Sequence, residues 1–330
     1  MSFAVLLKLA AIVAVVAIGW AAGRMKWLDA GGNRGDSSRT LSNAAFYIFV
    51  PALLFRTTAR VDFSTMPWGT IAAVFVPTLA LLFGLYVVQR RSQRGGALPV
   101  AAPGVRAISA VFGNTVQIGI PLATALYGET GLAMHLAIVS LHALVLLTSV
   151  TALVELDLAA ARPRHRGGDA RHLAAVLATT VRHTVIHPVV LPVLLGLAFN
   201  ALGWVLPAVV DEVLQTLGTA VVPLCLVMIG SSLAQYGLRG EVRHALWVTA
   251  VKLLLLPALV LGVAHWGFGI GGLPLAVIVT MAALPVGSNP LIFAQRYGAL
   301  EAETTAAVVL STLAFVVTAP FWLAVLARIG

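Results

Sequence analysis

The sequence predicts an all-α membrane protein of ten transmembrane helices, arranged as two inverted five-helix repeats in which helices four and nine are broken. Three observations predict this fold class. The 330 residues are 60% hydrophobic and 10% charged, with a mean hydropathy of +0.97, whereas soluble domains carry about 25% charged residues. Ten apolar runs are long enough to cross a bilayer. Prolines recur in the same order in the two halves of the chain.

The ten apolar runs give the candidate spans, since a membrane helix needs about 20 mainly apolar residues. The first run carries Lys8 and has no basic segment before it, which favours a retained span over a cleaved signal peptide. The predicted spans, one to ten, are Phe3–Gly23, Leu41–Ala59, Pro67–Gln89, Ala107–Tyr127, Leu132–Leu156, His187–Val205, Val213–Gln235, Ala245–Trp266, Leu273–Tyr297 and Ala302–Leu326.

Basic residues fall in alternate loops and set the orientation. The loops after spans one, three, five, seven and nine hold most of the arginine and lysine, including Arg106, whereas the other side offers only Arg56, Arg60 and Arg328. By the positive-inside rule the basic loops are cytoplasmic and both termini face outward. The chain is therefore expected to be a multi-pass protein of a bacterial-type plasma (inner) membrane. The basic residues behind the net charge of +9 are interpreted as topology signals, and no nucleic-acid partner is predicted.

The longest polar stretch divides the chain into two halves of five spans. We expect a first repeat at 1–156, a cytoplasmic linker at 157–183 and a second repeat at 184–330. Because five is an odd number, the second repeat must be inverted in the membrane relative to the first. Prolines at matching places support the duplication: Pro51 with Pro223, Pro77 with Pro257, and Pro121 with Pro290.

Spans four and nine are interrupted at their centres by similar residues. One segment reads F-G-N-T-V-Q-I-G-I-P-L-A-T-A-L-Y-G from Phe112, and the other reads L-P-V-G-S-N-P-L-I-F-A-Q-R-Y-G from Leu284. Hydrocarbon offers no partner to a free N–H or C=O group, so such a break survives only against protein or a water-filled cavity. Paired interruptions in two halves of a membrane protein indicate the substrate site of a secondary transporter.

The residues of these breaks predict an anion site. Pro121 and Pro290 suit the first turn of a second half-helix, with Gly119 relaxing the backbone before one and Ser288 or Asn289 capping the other. Helix N-termini carry partial positive charge and bind anions. Side chains expected to orient a carboxylate are Asn114, Thr115, Gln117, Ser288 and Asn289. The alternative is a pair of ordinary proline kinks whose polar side chains bond to neighbouring helices.

The role of Asn114 gives a first expectation from sequence. Replacing Asn114 by alanine is expected to leave folding intact and to impair substrate binding, because the amide would contact the substrate.

Ionisable residues inside the spans add two candidates. Lys252 lies within span eight and is a candidate counter-ion. His135 and His142 lie seven residues apart on nearly one face of span five. His142 is a candidate for proton coupling, and the alternative is that both histidines are structural and hydrogen-bonded. Transport coupled to H+, transport coupled to Na+ and uncoupled transport by a uniporter are all compatible with the sequence. No metal set, nucleotide loop or hydrolase motif is visible, so no cofactor is predicted and an enzyme is least favoured.

The chain closely resembles the auxin efflux carrier family, which includes plant PIN proteins and bacterial malate or malonate permease-like carriers. The resemblance begins with A-I-G-W-A-A-G-R-M-K-W-L and F-Y-I-F-V-P-A-L-L-F, continues through both interrupted segments, and includes P-L-C-L-V-M-I-G-S-S-L-A from Pro223. The motifs occur in the same order over nearly the whole chain.

This resemblance implies a fold and a mechanism. It implies that helices four and nine cross at their broken centres, with Pro121 and Pro290 as the crossover prolines and Asn114 as a substrate-contacting asparagine. It also implies a scaffold of helices 1, 2, 6 and 7, a moving transport domain of helices 3–5 and 8–10, and a homodimer. The short middle loop departs from the long plant carriers, so neither auxin as the substrate nor phosphorylation-based regulation is predicted.

We therefore expect a secondary transporter, an efflux carrier of small organic anions such as carboxylates, that works by elevator-type alternating access in the lipid bilayer. The alternative is an anion channel or a solute sensor on the same scaffold. A channel passes substrate without counterflow, and a sensor usually carries a signalling domain.

Overall fold

The computed structural model describes residues 3–27, 41, 43–60, 68–93, 98–161, 182, 186, 190–235 and 242–329. Within these ranges the regular structure is helical, with one isolated β-bridge. The helices are α1 (Phe3–Arg24), α2 (Val50–Ala59), α3 (Trp68–Ser92), α4 (Ala102–Val111), α5 (Gly119–Ala161), α6 (Val190–Ala201), α7 (Ala208–Thr219), α8 (Val221–Gln235), α9 (Val242–Gly267), α10 (Gly272–Ala282), α11 (Asn289–Tyr297) and α12 (Glu301–Ile329).

Four helical segments among the described residues are long and apolar enough to cross a membrane: Trp68–Ser92, Gly119–Leu158, Val242–Gly267 and Glu301–Ile329. Shorter apolar helices accompany them. Large apolar side chains such as Val76, Leu254 and Val317 are exposed, as lipid-facing residues are in membrane proteins. The prediction of an all-helical membrane protein is thus confirmed.

Helix α5 covers the second half of predicted span four and all of span five. It is interrupted at Gly128, whose φ of +65° lies in the region that favours glycine. The interruption separates a first limb, 119–127, from a second limb, 129–161. The second limb extends past the predicted end of span five and covers the start of the predicted linker, whose residues 162–181 and 183 lie outside the described ranges.

Two prolines follow wide helical turns. A π-helical turn, Ala45–Phe49, precedes Pro51, and another, Val251–Leu255, precedes Pro257. Proline has no N–H for the carbonyl four residues earlier, which for Pro257 is that of Leu253. The Trp322 Nε1–H of α12 donates to this carbonyl oxygen at 2.7 Å in a buried hydrogen bond. A side chain from another helix therefore binds the carbonyl that the proline cannot reach.

We expect Trp322→Phe to lower the free energy of unfolding by about 1–3 kcal/mol, because the buried Leu253 carbonyl would lose this donor. The measurement is the melting temperature of the detergent-purified protein. Trp68→Phe is the control, because the Trp68 side chain is 58% exposed and its loss removes no buried hydrogen bond among those described. Equal melting temperatures for the two variants would contradict the assigned role of Trp322.

Helices α1 and α8 pack at close range through glycines. A Cβ atom at Gly230 would lie 2.0 Å from the Val16 carbonyl oxygen, and one at Gly19 would lie 2.3 Å from the Val227 carbonyl oxygen. Only glycine fits such contacts between backbones, and small residues at helix crossings are typical of membrane proteins. Predicted spans one and seven are therefore direct neighbours.

An ion cluster joins α2 to α7. The Asp211 carboxylate accepts hydrogen bonds from Arg56 at 2.8 Å and pairs with Arg60 at 2.8 Å. Asp211 precedes predicted span seven, and its hydrogen bond to Arg56 holds the pKa of its carboxyl below the ordinary value. Two of the three arginines that the sequence placed on the less basic side, Arg56 and Arg60, thus share one carboxylate.

A buried ion pair joins α4 to α12. The Arg106 guanidinium donates to both Glu303 oxygens, at 2.8 and 2.9 Å, and to Gln89 of α3 at 3.3 Å. The sequence placed Arg106 in a loop as a topology signal, but α4 begins at Ala102 and Arg106 is 9% exposed. The expectation of a loop arginine was wrong, because bidentate pairing to Glu303 lets a guanidinium lie inside the helical packing.

Candidate functional site

The two interrupted segments lie between α4 and α5 and between α10 and α11, and they pair with each other through the backbone. The pairing consists of an antiparallel bridge between Gly113 and Val286, a hydrogen bond from Asn114 N to Pro285 O at 2.8 Å, and one from Gly287 N to Phe112 O at 3.0 Å. Each break supplies partners for the other, which meets the requirement that backbone groups in a membrane be bonded.

Side chains from neighbouring helices bind the paired segments. The Val286 N–H donates to Ser311 Oγ of α12 at 3.0 Å, and Ser311 is fully buried. His135 Nε2, on the second limb of α5, lies 2.8 Å from the Thr115 carbonyl oxygen. A carbonyl only accepts, so His135 carries its proton on Nε2. Both breaks are therefore fixed by hydrogen bonds to other helices.

Lys252 lies close to Gly113 of the first break and is fully buried. Its ammonium group donates to the carbonyl oxygen of Ala282, the last residue of α10, at 2.5 Å. The C-terminal end of a helix carries partial negative charge, which favours a cation there. A Cβ atom at Gly113 would lie 3.5 Å from Lys252 Nζ, so the ammonium group lies against the bridge. None of the carboxylates in the described ranges forms an ion pair with it.

Asn114 caps the turn that leads into α5. Its Oδ1 accepts from the Gln117 N–H at 3.2 Å, and its Nδ2 donates to Gln117 Oε1 at 3.1 Å. The Asn114 carbonyl oxygen also accepts from the Gly119 N–H at 3.0 Å. These contacts use one amide N–H of Asn114 and leave the second free to donate to a ligand.

The second break ends where α11 begins. Asn289 is the first residue of α11 and Pro290 the second. The Ser288 carbonyl oxygen accepts from the N–H groups of Leu291 and Ile292, at 3.0 and 3.1 Å. Ser288 and Asn289 thus lie at a helix N-terminus, where unpaired N–H groups give partial positive charge.

A small cavity opens beside the paired segments. Its volume is about 20 Å³, enough for one water molecule. No carboxylate lines it, and the second limb of α5 forms one wall. The lining residues are Phe112, Gly113, Asn114, Thr115, Val116, Val139, His142, Ala143, Gly287, Ser288 and Asn289.

The cavity brings together half of the residues singled out from the sequence. Asn114, Thr115, Ser288, Asn289 and His142 line it. The others lie outside the lining: Gln117, Gly119, Pro121, Pro290 and Lys252. Gln117 bonds to Asn114, the two prolines lie in the first turns of α5 and α11, and Lys252 bonds to the Ala282 carbonyl oxygen.

The two histidines of span five differ in their surroundings. His135 is bonded to the Thr115 carbonyl, as the structural alternative expected. His142 is 5% exposed, lines the cavity, and packs its ring against Phe112 with centroids 4.5 Å apart. Its Nδ1 is buried and has no hydrogen-bond partner among the described residues. Sequence spacing alone could not separate the two.

Several residues of the site were not expected from the sequence. Val139 and Ala143 form the apolar wall with His142, and Ser311 binds the bridge from α12. These are ordinary residues of apolar helices. The one available signal was sequence spacing, since Val139 lies three residues before His142 and Ala143 one residue after it.

Comparison with known families assigns the chain. The profile of the family described as "Membrane transport protein" matches residues 4–323, nearly the full length. The chain belongs to the membrane transport protein family. The resemblance to auxin efflux carriers is thereby confirmed, and this family member is a transporter and not an enzyme.

Similar proteins include transporters from bacteria and archaea. A "Putative malonate transporter" of Rhizobium meliloti is 25% identical over 292 residues, which cover 86% of this chain and 85% of the relative. An "Uncharacterized transporter" of Methanothermobacter thermautotrophicus is 23% identical over 295 residues, which cover 88% and 90%. The similarity of this membrane transport protein to both extends over most of each chain.

Proposed function

We propose that this protein is a secondary transporter that binds small organic anions, carboxylates in particular, in the cavity beside the paired segments. The observation that carries the proposal is the lining of this cavity. Two segments that lead into helices, α5 and α11, border it with amide and hydroxyl groups, and no lining residue is acidic. In this proposal Asn114, Thr115, Ser288 and Asn289 bind the anion, Gln117 orients Asn114, and Gly119, Pro121 and Pro290 shape the two helix starts.

The electrostatics of the site favour an anion. Lys252 is buried against Gly113 without an ion-paired carboxylate in the described ranges. A charge in a low-dielectric interior acts over several ångströms, because water does not screen it. Lys252 therefore acts as a counter-ion at a distance, while its ammonium group stays bonded to the Ala282 carbonyl.

Alternating access of the elevator type is the proposed mechanism. Packing of α1 on α8 and of α2 on α6 and α7 supports a scaffold of predicted helices 1, 2, 6 and 7. The other helices pack among themselves, as α3 with α4, α9 with α12, and α10 with α5, which supports a transport domain that carries the cavity. Helix α5 also contacts α1 and α2 and would slide along the scaffold.

The remaining parts of the proposal concern the assembly and its membrane. We propose a homodimer in the plasma (inner) membrane, with both termini outside and with net efflux as its role. The distribution of arginine and lysine among the loops supports the orientation.

A short carboxylate suits the site better than a bulky one. The cavity of about 20 Å³ must widen to admit any organic acid, and a small acid requires the least widening. Malonate is the first compound to test, because a relative that covers most of the chain is named for it.

The test is counterflow in proteoliposomes. Liposomes that contain the purified protein are loaded with unlabelled malonate, malate or indole-3-acetate, and uptake of a labelled trace of each acid is followed. We expect labelled malonate to accumulate transiently by exchange. A carrier whose binding site returns across the membrane with substrate bound exchanges substrate faster than it transports substrate in net amount. Parallel runs with a Na+ gradient and with a pH gradient identify the coupling ion, if either drives accumulation.

Other outcomes would redirect the assignment. Rapid uptake without counterflow would indicate an anion channel. Absence of any uptake or exchange by protein that is folded and inserted would contradict the carboxylate proposal and favour a sensor or another substrate class.

A further inference from the structure

The ring of His142 lines the cavity and carries a buried nitrogen atom without a hydrogen-bond partner among the described residues. His142 lies on the second limb of α5 and is 5% exposed. Its Nδ1 is buried and finds no partner among the described residues. A buried polar atom without a partner is unfavourable, so native proteins rarely keep one without a reason.

His135 shows that a histidine ring on the second limb of α5 can find a hydrogen-bond partner. His135, seven residues earlier, is 2% exposed and bonds to the Thr115 carbonyl oxygen at 2.8 Å. Both rings face the first break, but only one is bonded to it. Lack of a partner is therefore not a general property of the histidines on this helix face.

In the part of the chain that the structure describes, the other buried side-chain atoms without a partner lie elsewhere. They are hydroxyl oxygens of Thr148, Ser231, Thr249 and Thr318, and none of these residues lines the cavity. A hydroxyl hydrogen rotates freely, whereas a ring nitrogen has a fixed direction. Phe112 fixes that direction further, since its ring packs on the imidazole with centroids 4.5 Å apart.

We infer that the His142 Nδ1–H donates a hydrogen bond directly to a carboxylate oxygen of the transported anion, so that α5 supplies a third side of the binding site. This inference rests on the proposed function. The apolar side chains of Val139 and Ala143, on either side of His142 in the wall, then contact the carbon chain of the substrate. A ring donor framed by small apolar residues selects short aliphatic acids over bulky ones.

Three substitutions of His142 test which atom is used. The side-chain amide nitrogen of asparagine reaches the position of Nδ1, and that of glutamine reaches the position of Nε2. We expect His142→Asn to change the half-saturation concentration for malonate counterflow by less than about threefold. His142→Gln and His142→Leu should each raise it by about tenfold or more, because the carboxylate loses a donor in a dry site.

Thr148→Val is the matched control. Thr148 lies on the same limb of α5 and also has a buried side-chain atom without a partner, but it does not line the cavity. Its replacement should leave the half-saturation concentration unchanged. A second readout, the rise in melting temperature that malonate causes in detergent, reports binding independently of transport. We expect this rise in the Asn variant and its loss in the Gln and Leu variants.

The outcomes separate the inference from the function. Active wild type together with an unchanged His142→Leu variant would overturn the inference alone. A Gln variant that binds better than the Asn variant would overturn it too, since Nε2 would then be the donor. If wild type neither exchanges a carboxylate nor is stabilised by one, the proposed function fails and the inference falls with it. Should the Leu variant not fold, the comparison of Asn with Gln decides.

Discussion

Asn114→Ser is expected to raise the half-saturation concentration for carboxylate exchange by roughly 10- to 150-fold, the effect of losing a hydrogen bond to a charged group. The melting temperature should stay close to that of wild type. Serine retains an oxygen that can accept from the Gln117 N–H and cap the turn, as Asn114 Oδ1 does. It removes the amide N–H that Asn114 has free for a ligand.

Alanine at this position is the less informative change. The sequence alone suggested that Asn114→Ala would leave folding intact, but the structure gives Asn114 a capping role. Removal of such a cap costs about 1 kcal/mol, so the alanine variant would lose stability and binding together. The expectation of an undisturbed fold therefore applies to serine and not to alanine.

Asn200→Ser is a control for which the opposite pair of effects is expected. The Asn200 amide donates to the Ala59 carbonyl oxygen at 3.0 Å and joins α6 to α2, away from the cavity. The same chemical change there should lower the melting temperature and leave the half-saturation concentration unchanged. Asn114→Ser with normal half-saturation would show that the amide does not bind the substrate.

Gly287→Ala is expected to destabilise the protein by on the order of 3 kcal/mol through overpacking and loss of a buried hydrogen bond. A Cβ atom at this position would lie 2.9 Å from the Gly113 carbonyl oxygen and 3.2 Å from its carbon. These are backbone atoms of the opposing break, which cannot move without breaking the hydrogen bond from Gly287 N to Phe112 O. Thermal unfolding in detergent measures the effect.

Gly113→Ala is the matched comparison for stability. It lies across the same bridge, but a Cβ atom there would meet Leu284 and Lys252 at 3.5 Å, an ordinary contact distance. We expect its stability to remain within about 1 kcal/mol of wild type. Equal losses in both variants would contradict the close backbone approach at Gly287.

The interrupted segments illustrate how far sequence reasoning reaches. Glycine, asparagine and proline inside apolar spans predict a break, because each of these residues weakens or ends a helix for a local reason. The segments from Phe112 and from Leu284 are indeed the places where α4 and α10 end and where α5 and α11 begin. That the two breaks bond to each other, through Gly113 and Val286, is a long-range contact that no local pattern contains.

The histidines and arginines show the opposite limit. Spacing placed His135 and His142 on one helix face, and only the packed structure distinguishes the bonded ring from the free one. Arg106 was expected in a loop because its ion-pair partner, Glu303, is distant in the sequence. A pairing between residues so far apart depends on how helices pack, and composition near Arg106 gives no sign of it.

Hydropathy and helix-breaking residues act over a few neighbouring positions, so the amino-acid sequence alone was enough to predict a helical membrane protein with two broken spans. It was also enough to predict the family, because the motifs extend over nearly the whole chain. The packed structure was needed to show that Asn114, Ser288, Asn289 and His142 share one cavity and that Lys252 does not line it. A cavity is formed by side chains from several helices, and their mutual placement follows from packing that involves the whole fold.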